Sequence, residues 1–177
     1  MEELELEETP VKRRINVLLT ILTVLAALLC LFVQTALLQR ITIWGIVPFL
    51  YPLLAAIPAT YENSVAATTF ALVIGVVCDL MLPEVLPCFY TLLFPIIGLL
   101  SSLLAQSVLP NGVLCSVFAA AMAYLLNGLF HCMILWQSDG IWQTGMFLTL
   151  REFCVALPFT IPMTFLFRAV YRRTHWD

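Results

Sequence analysis

Residues 65–109 read VAATTFALVIGVVCDLMLPEVLPCFYTLLFPIIGLLSSLLAQSVL. The stretch consists of two apolar runs, 65–82 and 88–109, joined by a short turn that contains prolines. Because a helix of about 20 apolar residues crosses the hydrocarbon core of a bilayer, the stretch predicts a hairpin of two membrane helices. Asp79 is the one carboxylate inside these apolar runs, and Gly75 lies four residues before it.

The composition of the whole chain also predicts a membrane protein. Of its 177 residues, 62% are hydrophobic and 11% are charged, and the mean hydropathy is +1.02. A soluble domain carries about 25% charged residues, and no soluble fold has an interior large enough to bury this much apolar surface. We therefore expect lipid to solvate the chain. The net charge of −3 comes mostly from an acidic first segment, so we expect no basic surface for nucleic acid.

Apolar runs on either side of the hairpin extend the prediction to an all-α membrane protein with six transmembrane helices. The predicted spans are 15–38, 46–60, 65–82, 88–109, 113–136 and 146–171. The second span contains Pro48, Pro52 and Pro58, and proline removes a backbone donor and bends a helix. We expect this span to be tilted, broken or partly re-entrant, with other parts of the protein covering its freed carbonyls.

The connections between the spans are short and polar, so residues 13–173 are predicted to form a single transmembrane domain. The preceding segment, 1–12, is rich in glutamate and is expected to be a disordered tail. Basic residues flank both ends of the domain: Lys12, Arg13, Arg14, Arg168, Arg172 and Arg173. With six spans both flanks lie on one side of the membrane, and the positive-inside rule makes that side the cytoplasm. The N- and C-termini are therefore predicted to be cytoplasmic.

No pattern typical of a catalytic or metal site occurs in the sequence. The chain contains no GxSxG, HExxH, CxxC or Walker sequence, and its two histidines lie in different regions. Cysteines inside apolar runs behave as small hydrophobic residues. Because neither a nucleophile with its base nor a set of metal ligands is recognisable, we expect no enzymatic activity, no catalytic residues, no metal and no cofactor.

Four ionisable residues are predicted to lie at similar depth, in the half of the bundle away from the basic flanks: Asp79, His131, Arg151 and Glu152. An ionisable group inside a bilayer costs at least about 2.5–3.5 kcal/mol, and an ion pair between Asp79 and Arg151 would lower that cost. One interpretation is a structural polar cluster that locks the third, fifth and sixth helices together. The others are a ligand-binding or partner-binding site at the outer face, or a role in proton relay or catalysis.

Pro48 and the segment 71–100, ALVIGVVCDLMLPEVLPCFYTLLFPIIGLL, resemble the rod-shape-determining protein MreD family. That family typically has a proline that opens helix 2, a G-x-x-x-D-L sequence that closes helix 3, a short turn, and a glycine in helix 4. The matching residues here are Pro48, Gly75, Asp79, Leu80 and Gly98. The turn departs from the glycine-rich form usual in the family, since it contains Glu84 and Pro87.

The resemblance implies a six-helix fold like that of the substrate-binding S components of energy-coupling-factor transporters. It also implies a non-catalytic scaffold of the cell-elongation (rod shape) complex in the bacterial cytoplasmic (inner) membrane. The partners it implies, besides membrane lipid, are MreC, RodA with its penicillin-binding transpeptidase, and the MreB filament, acting in lateral peptidoglycan synthesis. The residues expected to bind partners or to form the polar cluster are Gly75, Asp79, Glu84, Pro87, His131, Arg151 and Glu152.

The alternative function is a substrate-binding membrane subunit of a transporter for a vitamin or another small molecule. The fold would be the same, and the residues lining a pocket at the outer face would be Asp79, His131, Arg151 and Glu152. The shape of that pocket distinguishes the two functions. A substrate-binding subunit needs a cavity that is open or gated to the outside, whereas a scaffold can fill the same space with side chains.

Overall fold

The structure is a computed structural model that describes residues 10–36, 38–40, 42, 45, 47–82, 88–108, 112–139 and 142–172. Every regular element among these residues is helical. The elements are α1 (Pro10–Ala36), a 3-10 turn (Leu38–Arg40), α2 (Tyr51–Ala59), α3 (Ser64–Met81), α4 (Phe89–Ser107), α5 (Val113–Asp139) and α6 (Trp142–Arg172). The predicted all-α class is therefore confirmed.

Within the described part of the chain, four helices contain a segment that is long and apolar enough to cross a membrane. The segments are Ser64–Met81, Phe89–Ser107, Val113–Met133 and Gly145–Tyr171. In α1, the apolar stretch Ile21–Ala36 is shorter than these four. The described residues thus form an all-helical protein with four candidate membrane spans, which confirms the helical class and the presence of apolar spans, while the number six stays a prediction.

The first helix starts earlier than the sequence predicts. α1 begins at Pro10, inside the segment 1–12 that is predicted to be a tail. Proline is favoured in the first turn of a helix because the amide hydrogen that it lacks would have no intrahelical partner there. The acidic residues 1–9 lie outside the described residues.

The described part of the second predicted span, 46–60, contains no helix long enough to cross a membrane. α2 begins only at Tyr51 and contains nine residues, which rise about 14 Å, whereas the hydrocarbon core is about 30 Å thick. All nine residues are buried, and α2 contacts each of the other five α-helices. Pro52 lies in the first turn, where a helix tolerates proline, so Pro58 is the proline inside the helix. α2 is therefore a short central helix enclosed by the rest of the protein. This agrees with the expectation that other parts of the protein cover its backbone carbonyls.

α3 and α4 pack closely along a stripe of small residues. A β-carbon added at Gly98 of α4 would lie 2.7 Å from the β-carbon of Ala71 and 2.9 Å from the carbonyl oxygen of Ala67, both on α3. These distances are shorter than van der Waals contact, so glycine is the residue that fits. Ala67, Ala71 and Gly75 recur at intervals of four and share one face of α3. Small residues thus let the two helices approach closely.

The two ends of the helical bundle contain different helix termini and different polar contacts. At the end that we call distal, α1, α3 and α5 finish, and α2, α4 and α6 begin. One contact between these termini joins Gln34 of α1 to Leu50, the residue before α2. At the opposite end, which we call proximal, the phenol of Tyr171 in α6 donates to Glu62 between α2 and α3.

Candidate functional site

Gly75 and Asp79 of α3 hold the first turn of α4. A β-carbon at Gly75 would lie 2.5 Å from the carbonyl oxygen of Tyr90 and 3.0 Å from the Cα of Thr91, so the α4 backbone rests directly on this glycine. Asp79 accepts hydrogen bonds from the backbone N–H groups of Tyr90, at 3.0 Å, and of Thr91, at 2.8 Å. The Thr91 hydroxyl donates to the same carboxylate, at 2.5 Å. We call this unit the Gly75–Asp79 clasp.

The clasp supplies the N-terminal cap that α4 lacks in its own sequence. The first four N–H groups of a helix have no intrahelical partner, and a Ser, Thr, Asp or Asn just before the helix usually caps them. The residue before α4 is Cys88, which makes no capping bond and has a φ of 60°, in the left-handed region. A carboxylate near a helix N-terminus also interacts favourably with the helix dipole. Asp79 of α3 therefore does what a local cap would do.

An ion pair between Asp79 and Arg151, which is one hypothesis for the polar residues, does not occur among the described residues. The Asp79 carboxylate bonds to the N-terminus of α4 instead, and the described parts of α3 and α6 do not contact each other. The Arg151 side chain is exposed. Asp79 therefore joins α3 to α4 rather than α3 to α6.

Two further residues of the predicted partner-binding patch, Glu84 and Pro87, lie outside the described residues. They stand in the connection between the two helices that the clasp joins, because α3 ends at Met81 and α4 begins at Phe89. Their contribution to partner binding stays a prediction.

A cavity of about 560 Å³ lies at the distal end, and we call it the distal cavity. Its polar lining consists of Gln34, Asn127, His131 and Glu152. The aromatic rings of Phe49, Tyr51 and Tyr90 form another part of its wall. The cavity therefore brings together His131 and Glu152, which the sequence predicts at similar depth. Asp79 and Arg151 do not belong to its lining.

Gln34 holds the non-helical segment that leads into α2. Its side-chain amide donates to the carbonyl of Pro48, at 2.8 Å, and accepts from the backbone N–H of Leu50, at 3.1 Å. The Tyr124 hydroxyl of α5 donates to the carbonyl of Phe49. Non-helical backbone is tolerated at membrane depth only where it is buried in protein or lines a water-filled cavity. α1 and α5 together therefore stabilise the entry to α2.

Replacing Gln34 with leucine is expected to lower the free energy of unfolding by about 1–3 kcal/mol, because a buried N–H and a buried carbonyl lose their partner. Gln34 is 3% exposed, so water has little access to these groups. Thermal unfolding of the purified protein in detergent measures the change. Thr35→Val is the matched control, since the Thr35 hydroxyl bonds within α1. Equal unfolding midpoints for the two variants would contradict the role given to Gln34.

Asn127 and His131 lie one turn apart on α5. His131 Nδ1 lies 3.0 Å from the carbonyl oxygen of Asn127, and because a carbonyl can only accept, Nδ1 is assigned the proton. The His131 ring meets Phe89 of α4 edge to face, with ring centroids 5.0 Å apart. Asn127 is 2% exposed, and its Oδ1 has no hydrogen-bond partner among the described residues. Ring packing thus joins α4 to α5 at the distal end, and a buried acceptor remains at the cavity wall.

A second polar cluster, which the sequence analysis missed, lies at the proximal end. Tyr171 donates to the Glu62 carboxylate at 2.6 Å, and its ring stacks on that of Tyr61 with centroids 5.2 Å apart. Ser102 of α4 donates to the Glu62 backbone carbonyl at 3.1 Å. The signal for this cluster in the sequence is the polar turn that contains Tyr61 and Glu62. The cluster ties α4 and α6 to the connection between α2 and α3.

The described residues of the predicted site thus fall into three groups. Gly75 and Asp79 form the clasp, His131 and Glu152 line the distal cavity, and Arg151 is exposed. Four residues that contribute contacts in the structure were not among the predicted site residues: Gln34, Tyr90, Thr91 and Tyr124. Comparisons of the chain with protein-family models, with curated proteins and with solved structures find no match.

Proposed function

We propose that this chain is a non-catalytic membrane scaffold of the bacterial cell-elongation complex and belongs to the MreD family. In this role it supports lateral peptidoglycan synthesis by binding MreC, and it works with RodA, its penicillin-binding transpeptidase and the MreB filament. Its termini face the cytoplasm, as the basic flanks predict, and the distal end faces the outside. The sequence support for this proposal is the resemblance of the segment 71–100.

The exposed side of α3 is the observation that carries the proposal. Within the protein, 28% of the α3 span is buried, compared with 39–44% of the other three candidate spans. Val73, Val76 and Leu80 are 52%, 40% and 82% exposed, and their spacing places them on one side of the helix. We call them the α3 face. A scaffold needs a well-positioned apolar surface for partner helices, and the clasp holds α3 in position against α4.

Photo-crosslinking tests the α3 face directly. A photoreactive amino acid is placed at Val73 or, as the matched control, at Leu129 of α5, which is 50% exposed. Native bacterial membranes are irradiated and solubilised in detergent, and the protein is purified through a C-terminal tag. We expect a covalent adduct with an MreC-like protein from the Val73 position and none from Leu129, because the proposed partner contact lies on α3.

The proteins that co-purify decide between the possible outcomes. Recovery of RodA-like and MreC-like proteins would support the scaffold function. Adducts from Leu129 and none from Val73 would show that the α3 face is not the binding surface. Recovery of an ATPase and a coupling subunit in place of elongation proteins would overturn the scaffold function.

The distal cavity favours a second candidate function, a substrate-binding membrane subunit of a small-molecule transporter. Side chains leave about 560 Å³ unfilled at this end, which we propose faces the outside. Ligand pockets typically have volumes of about 300–1,000 Å³. The same co-purification separates the two functions, because a transporter subunit would recover an ATPase.

A further inference from the structure

We propose that the distal cavity binds a small organic cation with N–H donors, and that Asn127 and Glu152 are its polar contacts. The inference starts from Asn127, which is 2% exposed, lines the cavity, and has an Oδ1 without a hydrogen-bond partner among the described residues. Buried polar atoms are nearly always hydrogen-bonded. A buried acceptor left over at a cavity wall is therefore placed to accept a hydrogen bond from a ligand in the cavity.

The charge of the lining determines the class of ligand. Glu152 contributes a carboxylate to the cavity, which attracts cations and repels anions. Arg151, its neighbour in the sequence, is exposed and does not belong to the lining. His131 also lines the cavity, and its Nδ1 is bonded to the Asn127 carbonyl. The two acceptors, Asn127 Oδ1 and the Glu152 carboxylate, therefore suit an ammonium group better than a neutral or anionic one.

Aromatic rings supply the remaining contacts of the site. Phe49, Tyr51 and Tyr90 line the cavity, and the Phe49 centroid lies 5.2 Å from that of Tyr51 and 5.8 Å from that of Tyr90. Aromatic faces attract an ammonium group within about 6 Å of the ring centroid. The volume of about 560 Å³ lies within the range of cavities that hold small organic ligands. An amine that carries an aromatic ring therefore matches both the polar and the apolar parts of the wall.

This inference goes beyond the scaffold function and does not rest on it. A cation bound at the distal cavity would stabilise the distal end of a scaffold, and in a transporter subunit the same site would hold the substrate. Binding of a small amine and crosslinking to a partner protein are measured separately. Failure of one experiment therefore leaves the result of the other unchanged.

Benzylammonium is the probe, and benzyl alcohol and benzoate are probes of similar shape that are neutral and negatively charged. Equilibrium dialysis against the full-length protein in detergent measures the binding of each probe. The thermal unfolding midpoint reports the same binding, because a ligand that binds the folded state stabilises it. We expect benzylammonium to bind at least about tenfold more tightly than benzyl alcohol, since charge-assisted hydrogen bonds are the stronger ones, and we expect no binding of benzoate.

Three variants assign the binding to the cavity. Asn127→Leu removes the acceptor and is expected to weaken benzylammonium binding about tenfold. Asn127→Asp adds a negative charge and is expected to strengthen benzylammonium binding. A variant that binds more tightly must be folded, so this variant distinguishes the loss of a contact from the loss of the fold. Thr160→Val is the matched control. The Thr160 hydroxyl is also buried and has no partner among the described residues, but it lies on α6 outside the cavity lining.

Two results would overturn the proposal. The first is a wild-type protein that does not bind benzylammonium, or that binds the three probes equally. The second is an Asn127→Leu variant that folds and binds benzylammonium as tightly as the Thr160→Val control.

Discussion

Gly75→Leu is expected to separate α3 from α4 and to leave little folded protein. The atoms nearest to a β-carbon at this position are the carbonyl oxygen and carbon of Tyr90 and the Cα of Thr91, at 2.5, 2.9 and 3.0 Å. They are backbone atoms, so they cannot rotate away as a side chain can. Overpacking a core typically costs about 1–3 kcal/mol, and moving α4 also breaks its bonds to Asp79. The measurement is the yield of monodisperse protein by size-exclusion chromatography in detergent, with the unfolding midpoint of any protein recovered.

The matched control for this variant is Ala66→Leu on the same helix. Ala66 is exposed, so a leucine there extends away from the α3–α4 contact and the yield should stay near that of the wild type. Gly75→Ala should lie between wild type and Gly75→Leu, because it adds the β-carbon alone. A Gly75→Leu protein as abundant and as stable as Ala66→Leu would contradict the close packing of α4 on Gly75.

Asp79→Ala is expected to lower the free energy of unfolding by about 2–4 kcal/mol. Two backbone N–H groups and the Thr91 hydroxyl lose their acceptor in a partly buried site, and each lost hydrogen bond costs about 1 kcal/mol. The first turn of α4 should open more often, because the N–H groups of Tyr90 and Thr91 lose the carboxylate that accepts from them. Denaturant titration measures the loss of stability, and hydrogen exchange at Tyr90 and Thr91 should become faster than in the wild type.

Two conservative variants and one charge variant refine this test. Asp79→Asn keeps one acceptor oxygen and should lose less stability than Asp79→Ala, and Thr91→Val should lose about 1 kcal/mol, the value of one hydrogen bond. Arg151→Gln should leave the stability unchanged. Combining Arg151→Gln with Asp79→Asn should give the sum of the two single effects, since groups without a shared contact are additive. A double variant that departs clearly from that sum would reinstate the predicted ion pair.

The hairpin of α3 and α4 could be predicted from the sequence because neighbouring residues in the sequence identify where each helix begins and ends. The predicted spans 65–82 and 88–109 lie within two residues of Ser64–Met81 and Phe89–Ser107. Hydropathy identifies the apolar runs, and the prolines and polar residues between them identify the turn. These signals act over a few residues, so they do not depend on knowing the rest of the fold.

The short length of α2 could not be predicted in the same way. The residues from 46 to 60 are almost all apolar, and an apolar run looks the same whether lipid or protein surrounds it. Its start is determined by Gln34, which bonds to Pro48 and Leu50 from α1. Tyr124 reaches the segment from α5, 75 residues away in the sequence. No local pattern reports contacts over that distance.

The bonding partner of Asp79 could not be identified from the sequence for a different physical reason. A sequence shows side chains, so the expected partner of a buried carboxylate is a basic side chain such as Arg151. Its partner in the structure is the backbone at the start of α4. Cys88, the residue before α4, makes no capping bond, but the sequence does not show that α4 starts there and needs a cap from another helix. Arg151 and Glu152 also cannot face the same way, since successive residues of a helix are turned by about 100°. Glu152 therefore reaches the distal cavity while Arg151 is exposed.

The enclosed position of α2 has a consequence for biogenesis. With nine residues, α2 is too short to be held across a bilayer by lipid alone. Its surroundings include α3, α4, α5 and α6, all of which are synthesised after it. The packing site of α2 is therefore complete only after α6 has been synthesised, and until then α2 has only part of the contacts that enclose it.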